Sequence, residues 1–162
     1  MKTHDHFPMF IDTKGKSVVI IGGGNIAGRR IKTLSQFSFR ITVISDSVTD
    51  EISSLCDGER IRHIEGSFDP ENAGKYAALF DEAFMVLACT DDRHTNARVG
   101  TFCRDRGIQV NVCDAQDEST FWFPAFASSD ELVMGLVGDG SSHDTVRKAA
   151  AELRRIIEER LY

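Results

Sequence analysis

Apolar runs alternate with amphipathic stretches through most of the chain. The runs predict strands at residues 18–21, 40–45, 60–64, 84–89 and 108–112. The stretches between them carry apolar residues at helical spacing and predict helices at 25–37, 48–56, 69–79 and 92–106. A strand that is apolar throughout is covered on both faces, as in parallel sheets. The alternation therefore predicts an α/β fold with a doubly wound parallel sheet.

The pattern changes after residue 114. Residues 120–126 and 131–137 predict two strands joined by a short polar turn, and residues 145–161 predict an amphipathic helix. Strands joined by so short a turn pair antiparallel, so we expect a hairpin appended to the sheet. We accordingly predict two domains, 1–114 and 115–162. The aromatic hairpin suits either a domain core or a subunit interface.

A glycine turn stands between the first predicted strand and its helix, in the pattern Gly22-x-Gly24-x-x-Ala27. In a dinucleotide-binding turn, Gly22 permits the bend, Gly24 lets the backbone approach a pyrophosphate and small Ala27 allows close packing. The first-turn N–H groups, at Asn25 and Ile26 among others, would face the phosphates. A tight turn without a ligand is the simpler alternative. The flanking strand and helix favour nucleotide binding and a Rossmann-like sheet.

The second predicted strand ends in Ser45-Asp46, about 20 residues beyond the glycines, where such folds place a ribose-binding acid. Asp46 would accept a hydrogen bond from a ribose hydroxyl and repel a 2′-phosphate, which favours NAD over NADP as cofactor. A helix-capping or turn role for Asp46 is the alternative, and Ser45 could occupy the ribose position instead.

Polar residues follow four of the predicted strands. The clusters are residues 22–24, Ser45-Asp46, Thr90-Asp91-Asp92 and Asn111–Asp114. Because ligands of parallel sheets bind beyond the carboxyl ends of the strands, we expect these clusters to line one crevice. Thr90, Asp91 and Asp92 are predicted as cofactor or turn contacts, and Asp92 also suits a helix N-cap.

Asp114 is the candidate for chemistry. It follows an apolar strand at the place where the nicotinamide end of a cofactor could lie, and a carboxylate there could act as a general base or acid. A turn or N-cap role before the next segment is its alternative.

Composition narrows the function classes. The formal charge of −6 over 162 residues argues against nucleic acid and membrane surfaces as partners. No apolar run approaches the roughly 20 residues of a membrane span, and the N-terminus lacks the core of a signal peptide, so a cytoplasmic protein is expected. The four cysteines form no CxxC pair, which predicts reduced, mostly buried thiols and no metal site.

Several motifs occur together in a fixed order. They are Phe7–Ile11, Lys14–Lys16, Val18–Gly24 with Ala27 and Arg29-Arg30, Ala88–Asp92, Asn96, Asn111–Asp114 and Phe121–Ala125. In this combination the chain, over roughly residues 7 to 155, resembles the siroheme synthase N-terminal domains, the precorrin-2 dehydrogenase family.

The resemblance implies NAD-dependent oxidation of precorrin-2 to sirohydrochlorin in siroheme biosynthesis, with Asp114 as the catalytic residue. It also implies a homodimer in which 115–162 is a hairpin-plus-helix dimerisation segment. Asn111 and Ser142 fall on its substrate side, and Arg147 is a basic residue that we expect to meet the carboxylates of the tetrapyrrole. Some relatives also insert ferrous iron into the product.

Two departures from the family pattern bear on activity. In the loop at 137–143, Asp139 stands where relatives have glycine and His143 where they have proline. Relatives also continue through a further helical tail, so chelatase activity is not expected here. These departures motivate one alternative, a non-catalytic NAD- or tetrapyrrole-binding regulatory module. A sirohydrochlorin ferrochelatase is a further alternative, which ranks last.

Overall fold

The computed structural model describes residues 3–160, apart from the side chains of Asn72 and Arg160. These residues form two compact units. The first is Asp12–Phe121, and the second combines residues 3–11 with residues 122–160. In the described part of the chain, no helix has the length and apolar character needed to cross a membrane.

The first unit contains a five-stranded parallel sheet. Its strands are β1 (Ser17–Ile21), β2 (Arg40–Ser45), β3 (Ile61–Glu65), β4 (Ala83–Ala88) and β5 (Gln109–Val112), in the order β3-β2-β1-β4-β5. Its helices are α1 (Asn25–Leu34), α2 (Asp50–Leu55), α3 (Ala77–Asp81) and α4 (Arg93–Asp105), with 3₁₀ turns at Pro70–Tyr76 and Gln116–Glu118. The predicted doubly wound, Rossmann-like sheet is confirmed.

The sheet is buried on both faces. Val19 and Ile21 of β1 point into a cluster of buried side chains that includes three packed aromatic rings. Phe68 lies 4.6 Å from Phe80 and 5.4 Å from Phe102, measured between ring centroids. Residues 18 and 20 of β1 point to the opposite face and are also fully buried. Burial on both sides explains why the strands read as continuous apolar runs.

The helix predicted at 69–79 differs in the structure. It is a 3₁₀ turn, Pro70–Tyr76, that continues into the short helix α3. The turn is capped by Asp69, whose carboxylate accepts a hydrogen bond from the Glu71 N–H at 2.9 Å. Gly74 within the turn weakens regular α-helical structure, which accounts for the difference.

The first unit extends to Phe121, whereas the hydrophobic pattern places a boundary after residue 114. The chain folds back along β5 after the 3₁₀ turn. The Thr120 N–H donates to the Val110 carbonyl at 2.8 Å, and the Thr120 hydroxyl accepts from the Val110 N–H at 2.7 Å. Ser119 likewise accepts from the Val112 N–H at 2.8 Å. These side-chain contacts hold residues 119–121 on the sheet edge.

The second unit contains β6 (Ala125–Ser128), β7 (Val133–Leu136) and α5 (His143–Arg160). The two strands pair antiparallel, as the predicted hairpin requires, but each is shorter than its apolar run. The Arg154 guanidinium donates to the Phe126 carbonyl at 2.8 Å and joins α5 to β6. In the same unit the rings of His6 and Trp122 lie 3.7 Å apart between centroids, so both segments of the unit contribute to its packing.

Candidate active site

The glycine turn lies where the strand order reverses. β1 is the central strand, with β2 on one side and β4 on the other, and ligands of such sheets bind at this point. Gly22 follows β1 with a φ of 111°, a conformation that side chains rarely adopt. A Cβ at this position would lie 2.6 Å from the Cys89 carbonyl oxygen at the end of β4. Both the backbone conformation and the close approach therefore require glycine.

The start of α1 is the part of this turn that is suited to hold an anion, because no side chain caps it. The helices α2 and α4 are capped by Thr49 and Asp92, whereas α1 begins after Gly24 without a side-chain cap. Gly24 has open space where a Cβ would project. The first-turn N–H groups of α1, at Asn25, Ile26 and Ala27, have no acceptor within the helix.

These features fit the diphosphate of a dinucleotide. Backbone N–H groups at a helix start bind anions, and the helix dipole adds a partial positive charge. Ala27 is fully buried, as the predicted close packing of helix and strand requires. The space beside Gly24 gives a diphosphate access to the backbone.

The two candidate ribose contacts, Ser45 and Asp46, occupy different environments. Ser45 is only 8% exposed, and its hydroxyl donates to the Ser47 carbonyl at 2.7 Å. A Cβ on Gly23 would lie 2.6 Å from that hydroxyl oxygen, so Ser45 packs behind the glycine turn. The His63 ring nitrogen Nε2 lies 2.8 Å from the Ser45 carbonyl. Asp46, by contrast, is exposed to solvent.

Asn96 connects the ends of β4 and β5 from the first turn of α4. It is fully buried, and its Oδ1 accepts from the N–H of Thr90 at 3.0 Å and from the hydroxyl of Thr90 at 2.7 Å. Its Nδ2 donates to the Thr90 carbonyl at 3.0 Å and to Asp114 Oδ2 at 3.0 Å. Sequence reasoning gave Asn96 no role beyond motif membership. The sequence did contain a signal for such a role, because Asn96 is a polar residue on the otherwise apolar face of α4.

Asp114 is held by two donors from α4. Besides the amide of Asn96, Arg93 approaches Asp114 Oδ1 at 3.4 Å and also pairs with Glu118. The Asp114 side chain is 34% exposed, so the carboxylate has contact with solvent. Each oxygen of the Asp114 carboxylate therefore has a donor on α4. The site contains a positioned carboxylate that keeps contact with solvent.

The predicted cluster at residues 90–92 divides in the structure. Thr90 turns inward to Asn96, whereas Asp91 and Asp92 are exposed. Asp92 caps α4, because its carboxylate accepts from the Thr95 N–H at 2.8 Å. A hydrogen bond from the Thr95 hydroxyl is the main cause that lowers the pKa of Asp92, and backbone N–H groups lower it further. The capping alternative for Asp92 thus has direct geometric support.

The predicted substrate residues lie in both units. Asn111 is buried in β5, where its amide donates to the Phe121 carbonyl at 3.3 Å. Ser142 caps α5 in the second unit by accepting from the Thr145 N–H at 3.2 Å. Arg147 is paired with Asp144 at 2.5 Å on the surface of α5. Within residues 3–160 no three His, Cys, Asp or Glu side chains are grouped so as to hold a metal ion.

The sheet order, the glycine turn at the reversal point and the uncapped helix define a dinucleotide-binding Rossmann domain. Residues 9–125 match the NAD(P)-binding family NAD_binding_7, which confirms the expected nucleotide at the level of NAD(P). The curated relatives include "Probable multifunctional siroheme biosynthesis protein HemA" of Ruminiclostridium josui, 35% identical over 94% of this chain and 28% of the relative. "Siroheme synthase 1" of Yersinia enterocolitica is 31% identical over 97% of this chain and 30% of the relative.

A solved structure of "SirC, precorrin-2 dehydrogenase" matches 93% of this chain and 70% of its own, with a TM-score of 0.71 and 25% identity. The chain belongs to the siroheme synthase N-terminal domain and precorrin-2 dehydrogenase family. It spans about 28–32% of the length of the curated relatives that it matches.

Proposed function

We propose that this chain is a dehydrogenase of siroheme biosynthesis that oxidises precorrin-2 to sirohydrochlorin with NAD as the oxidant. The observation that carries the proposal is the carboxylate of Asp114, fixed by Asn96 and Arg93 at the end of β5. It lies in the same unit as a glycine turn that fits a dinucleotide. Membership of the family and the similarity to a precorrin-2 dehydrogenase support this substrate.

The nucleotide side of the proposal uses the glycine turn and Asp46. The N–H groups that start α1 would bind the diphosphate, and the exposed carboxylate of Asp46 would accept from the ribose hydroxyls. Ser45 is less suited to this role, because its hydroxyl is already bonded to the Ser47 carbonyl. A carboxylate at the ribose repels a 2′-phosphate, so the proposal is specific for NAD over NADP.

Asp114 is proposed as the general base. Oxidation of precorrin-2 removes a hydride and a proton, and bound NAD⁺ supplies the acceptor for the hydride. The amide of Asn96 and the guanidinium of Arg93 position the Asp114 carboxylate, which would take up the proton. Its partial exposure allows the proton to pass to solvent afterwards.

The substrate side is proposed to involve Asn111, Ser142 and Arg147. Each of the three side chains already has a partner in the structure, and this partner limits how it could contact the substrate. Asn111 holds residues 119–121 against β5 and would shape the edge of the site. Ser142 and Arg147 would have to share or exchange the contacts they make within α5 to bind a tetrapyrrole carboxylate.

The proposed assembly is a homodimer built through the second unit. That unit exposes Phe7, Met9 and Phe10 at 90%, 76% and 71% of their surface, and Leu132, Val133 and Val137 are also exposed. Exposed apolar side chains on a small unit favour association with a partner, and a second copy could bury them. Analytical ultracentrifugation across a concentration series measures the assembly; a protein that stays monomeric throughout would contradict it.

The enzymatic proposal is tested by following NADH formation with precorrin-2. We expect wild-type turnover of about 1 s⁻¹ or faster. Asp114→Asn should lower kcat by about 10²–10⁴-fold, the usual contribution of a positioned base. Its affinity for NAD should stay unchanged. Asp117→Asn is the matched control, since Asp117 is an exposed carboxylate in the following turn, and should retain activity.

A second candidate is the non-catalytic NAD- or tetrapyrrole-binding module. The local bonding of Ser142 and Arg147 within α5 favours it, because both side chains are already engaged. Binding of NAD and sirohydrochlorin by wild type without any NADH formation would support this candidate and refute the enzyme. Iron insertion into sirohydrochlorin without NAD would instead support the ferrochelatase.

A further inference from the structure

Two cysteines meet at the carboxyl ends of β4 and β5. The ladder between these strands ends in the pair Ala88 and Val112, so Cys89 and Cys113 occupy the next position on neighbouring strands. The Cys113 N–H donates to the Ala88 carbonyl at 3.0 Å, which extends the pairing to this point. Their sulfur atoms are 2.8 Å apart. Neighbouring backbone segments thus bring two free thiols into direct contact.

The backbone positions suit a covalent bond between the two sulfurs. Paired residues of adjacent strands are separated by roughly 4.7–4.9 Å across the sheet, within the Cα separations of about 4.4–6.8 Å that disulfides span. The sulfurs would have to approach by less than about 1 Å to reach bonding distance. Formation of a disulfide therefore needs side-chain adjustment and no rearrangement of the sheet.

The environments of the two thiols are unequal. Cys89 is buried and Cys113 is partly exposed. The hydrogen bond from Cys89, with a smaller contribution from the nearby Arg30, lowers the pKa of Cys113 to about 7. The same hydrogen bond, together with burial, raises the pKa of Cys89. Cys113 is therefore the more nucleophilic and accessible sulfur, and Cys89 is placed to react second.

We propose that Cys89 and Cys113 form a reversible dithiol–disulfide couple that exchanges with low-molecular-weight disulfides. The Cys113 thiolate attacks one sulfur of the small disulfide, whose other sulfur leaves as a thiolate and takes up a proton. Cys89 then loses its proton and attacks the Cys113 sulfur of the mixed disulfide, which expels the second small thiol. The protein dithiol is oxidised by two electrons, and one small disulfide is reduced to two thiols.

The two cysteines lie directly beside residues of the candidate active site. Cys89 precedes Thr90 and Cys113 precedes Asp114, so the bond would join the two segments that Asn96 also connects. The Cys89 carbonyl also faces Gly22. A covalent link would thus lie beside the glycine turn and the proposed base. The inference does not rest on the proposed function, since the thiols can be measured without NAD or precorrin-2.

The test uses the folded full chain with Cys56 replaced, because Cys56 is also partly exposed. Cys56→Ser protein is incubated with oxidised glutathione, quenched in acid and examined by intact mass and peptide mapping. The expected product has lost two hydrogens and contains a peptide cross-link between Cys89 and Cys113. Reduced glutathione should restore the starting mass. A final product that carries glutathione or has not reacted would overturn the proposal.

Two variants in the same background test the order of reaction. With Cys89→Ser, the reaction should stop at a glutathione adduct on Cys113. With Cys113→Ser, the buried Cys89 should react at least tenfold more slowly than Cys113 does. Cys103→Ser is the control, since burial raises the pKa of Cys103 to about 12, and should leave the cross-link unchanged. If Cys89 in the Cys113→Ser protein reacts as fast as Cys113 does, the assignment of Cys113 as the attacking thiol is overturned. The mapping on the Cys56→Ser protein is decisive even if a further variant fails to fold.

Discussion

Two glycines of the same turn should respond differently to one added methyl group. Gly22→Ala must adopt a φ of 111° and place a Cβ 2.6 Å from the Cys89 carbonyl oxygen. Backbone strain of about 1–3 kcal/mol and overpacking of about 1–3 kcal/mol together predict a loss of about 2–6 kcal/mol in unfolding free energy. Gly24→Ala has a φ of −85° and open space around its Cβ. Its cost is a weaker N-cap, below about 1 kcal/mol.

Gly22→Ala should have the larger effect on stability, but Gly24→Ala should have the direct effect on nucleotide binding. A methyl group on Gly24 would occupy the space through which a diphosphate approaches the helix start, and would lengthen or remove a hydrogen bond to a charged group. Such bonds contribute about 1.5–3 kcal/mol, which corresponds to a roughly 10–150-fold increase in the Kd for NAD. Gly24→Ala should therefore fold normally and bind NAD poorly.

The assay combines thermal unfolding with calorimetric titration of NAD. At about 2–4 °C per kcal/mol for a chain of this size, Gly22→Ala should lower Tm by roughly 4–24 °C, and Gly24→Ala by less than about 4 °C. A Gly24→Ala protein that binds NAD as tightly as wild type would refute the placement of the diphosphate at this turn. A Gly24→Ala protein as unstable as Gly22→Ala would refute the structural contrast between the two positions.

Three further predictions concern single side chains. Asn96→Ala leaves the Thr90 N–H without its acceptor and should cost about 1–3 kcal/mol in chemical denaturation. Asn96→Asp should be no milder, because it buries a carboxylate where the amide donates to the Thr90 carbonyl and to Asp114. Asp46→Asn should narrow the preference for NAD over NADP in competition titrations, and an unchanged ratio would remove Asp46 from the ribose site. Asp92→Ala should destabilise the protein at neutral pH, because the pKa of Asp92 is lowered in the folded state. A lowered pKa contributes its full stability above the ordinary aspartate value of about 3.9. The difference from wild type should therefore shrink as pH falls from that value through the lowered pKa of the folded state.

The sheet could be predicted because its strands are buried on both faces. Val18–Ile21 and residues 84–88 are apolar at every position, and this pattern is specific to strands covered by helices. The glycine turn could be located for a related reason, since it lies between such a strand and a helix. The 3₁₀ segment at Pro70–Tyr76 was missed because helical spacing does not distinguish the two helix types over so short a stretch.

The connections within the site depend on which strands become neighbours, and the sequence does not state that order. Asn96, Asp114 and Thr90 are brought together because β4 and β5 are adjacent. The contact between Cys89 and Cys113 has the same origin. Ser45 and Asp46 could not be ranked for a similar reason, because the choice depends on the packing of Ser45 behind Gly23. Pairwise geometry of this kind appears only when the sheet is assembled.

The second unit is discontinuous in the chain, and the entire Asp12–Phe121 unit is inserted between its two segments. During synthesis, residues 3–11 leave the ribosome before the Asp12–Phe121 unit, but Trp122, whose ring the His6 ring contacts, emerges only after that unit. The apolar side chains of residues 7–11 therefore lack this partner segment until the nucleotide-binding unit has been synthesised. An excised version of that unit should accordingly run from Asp12 to Phe121. It then omits the apolar residues 7–11 and keeps residues 119–121, which cover the edge of β5.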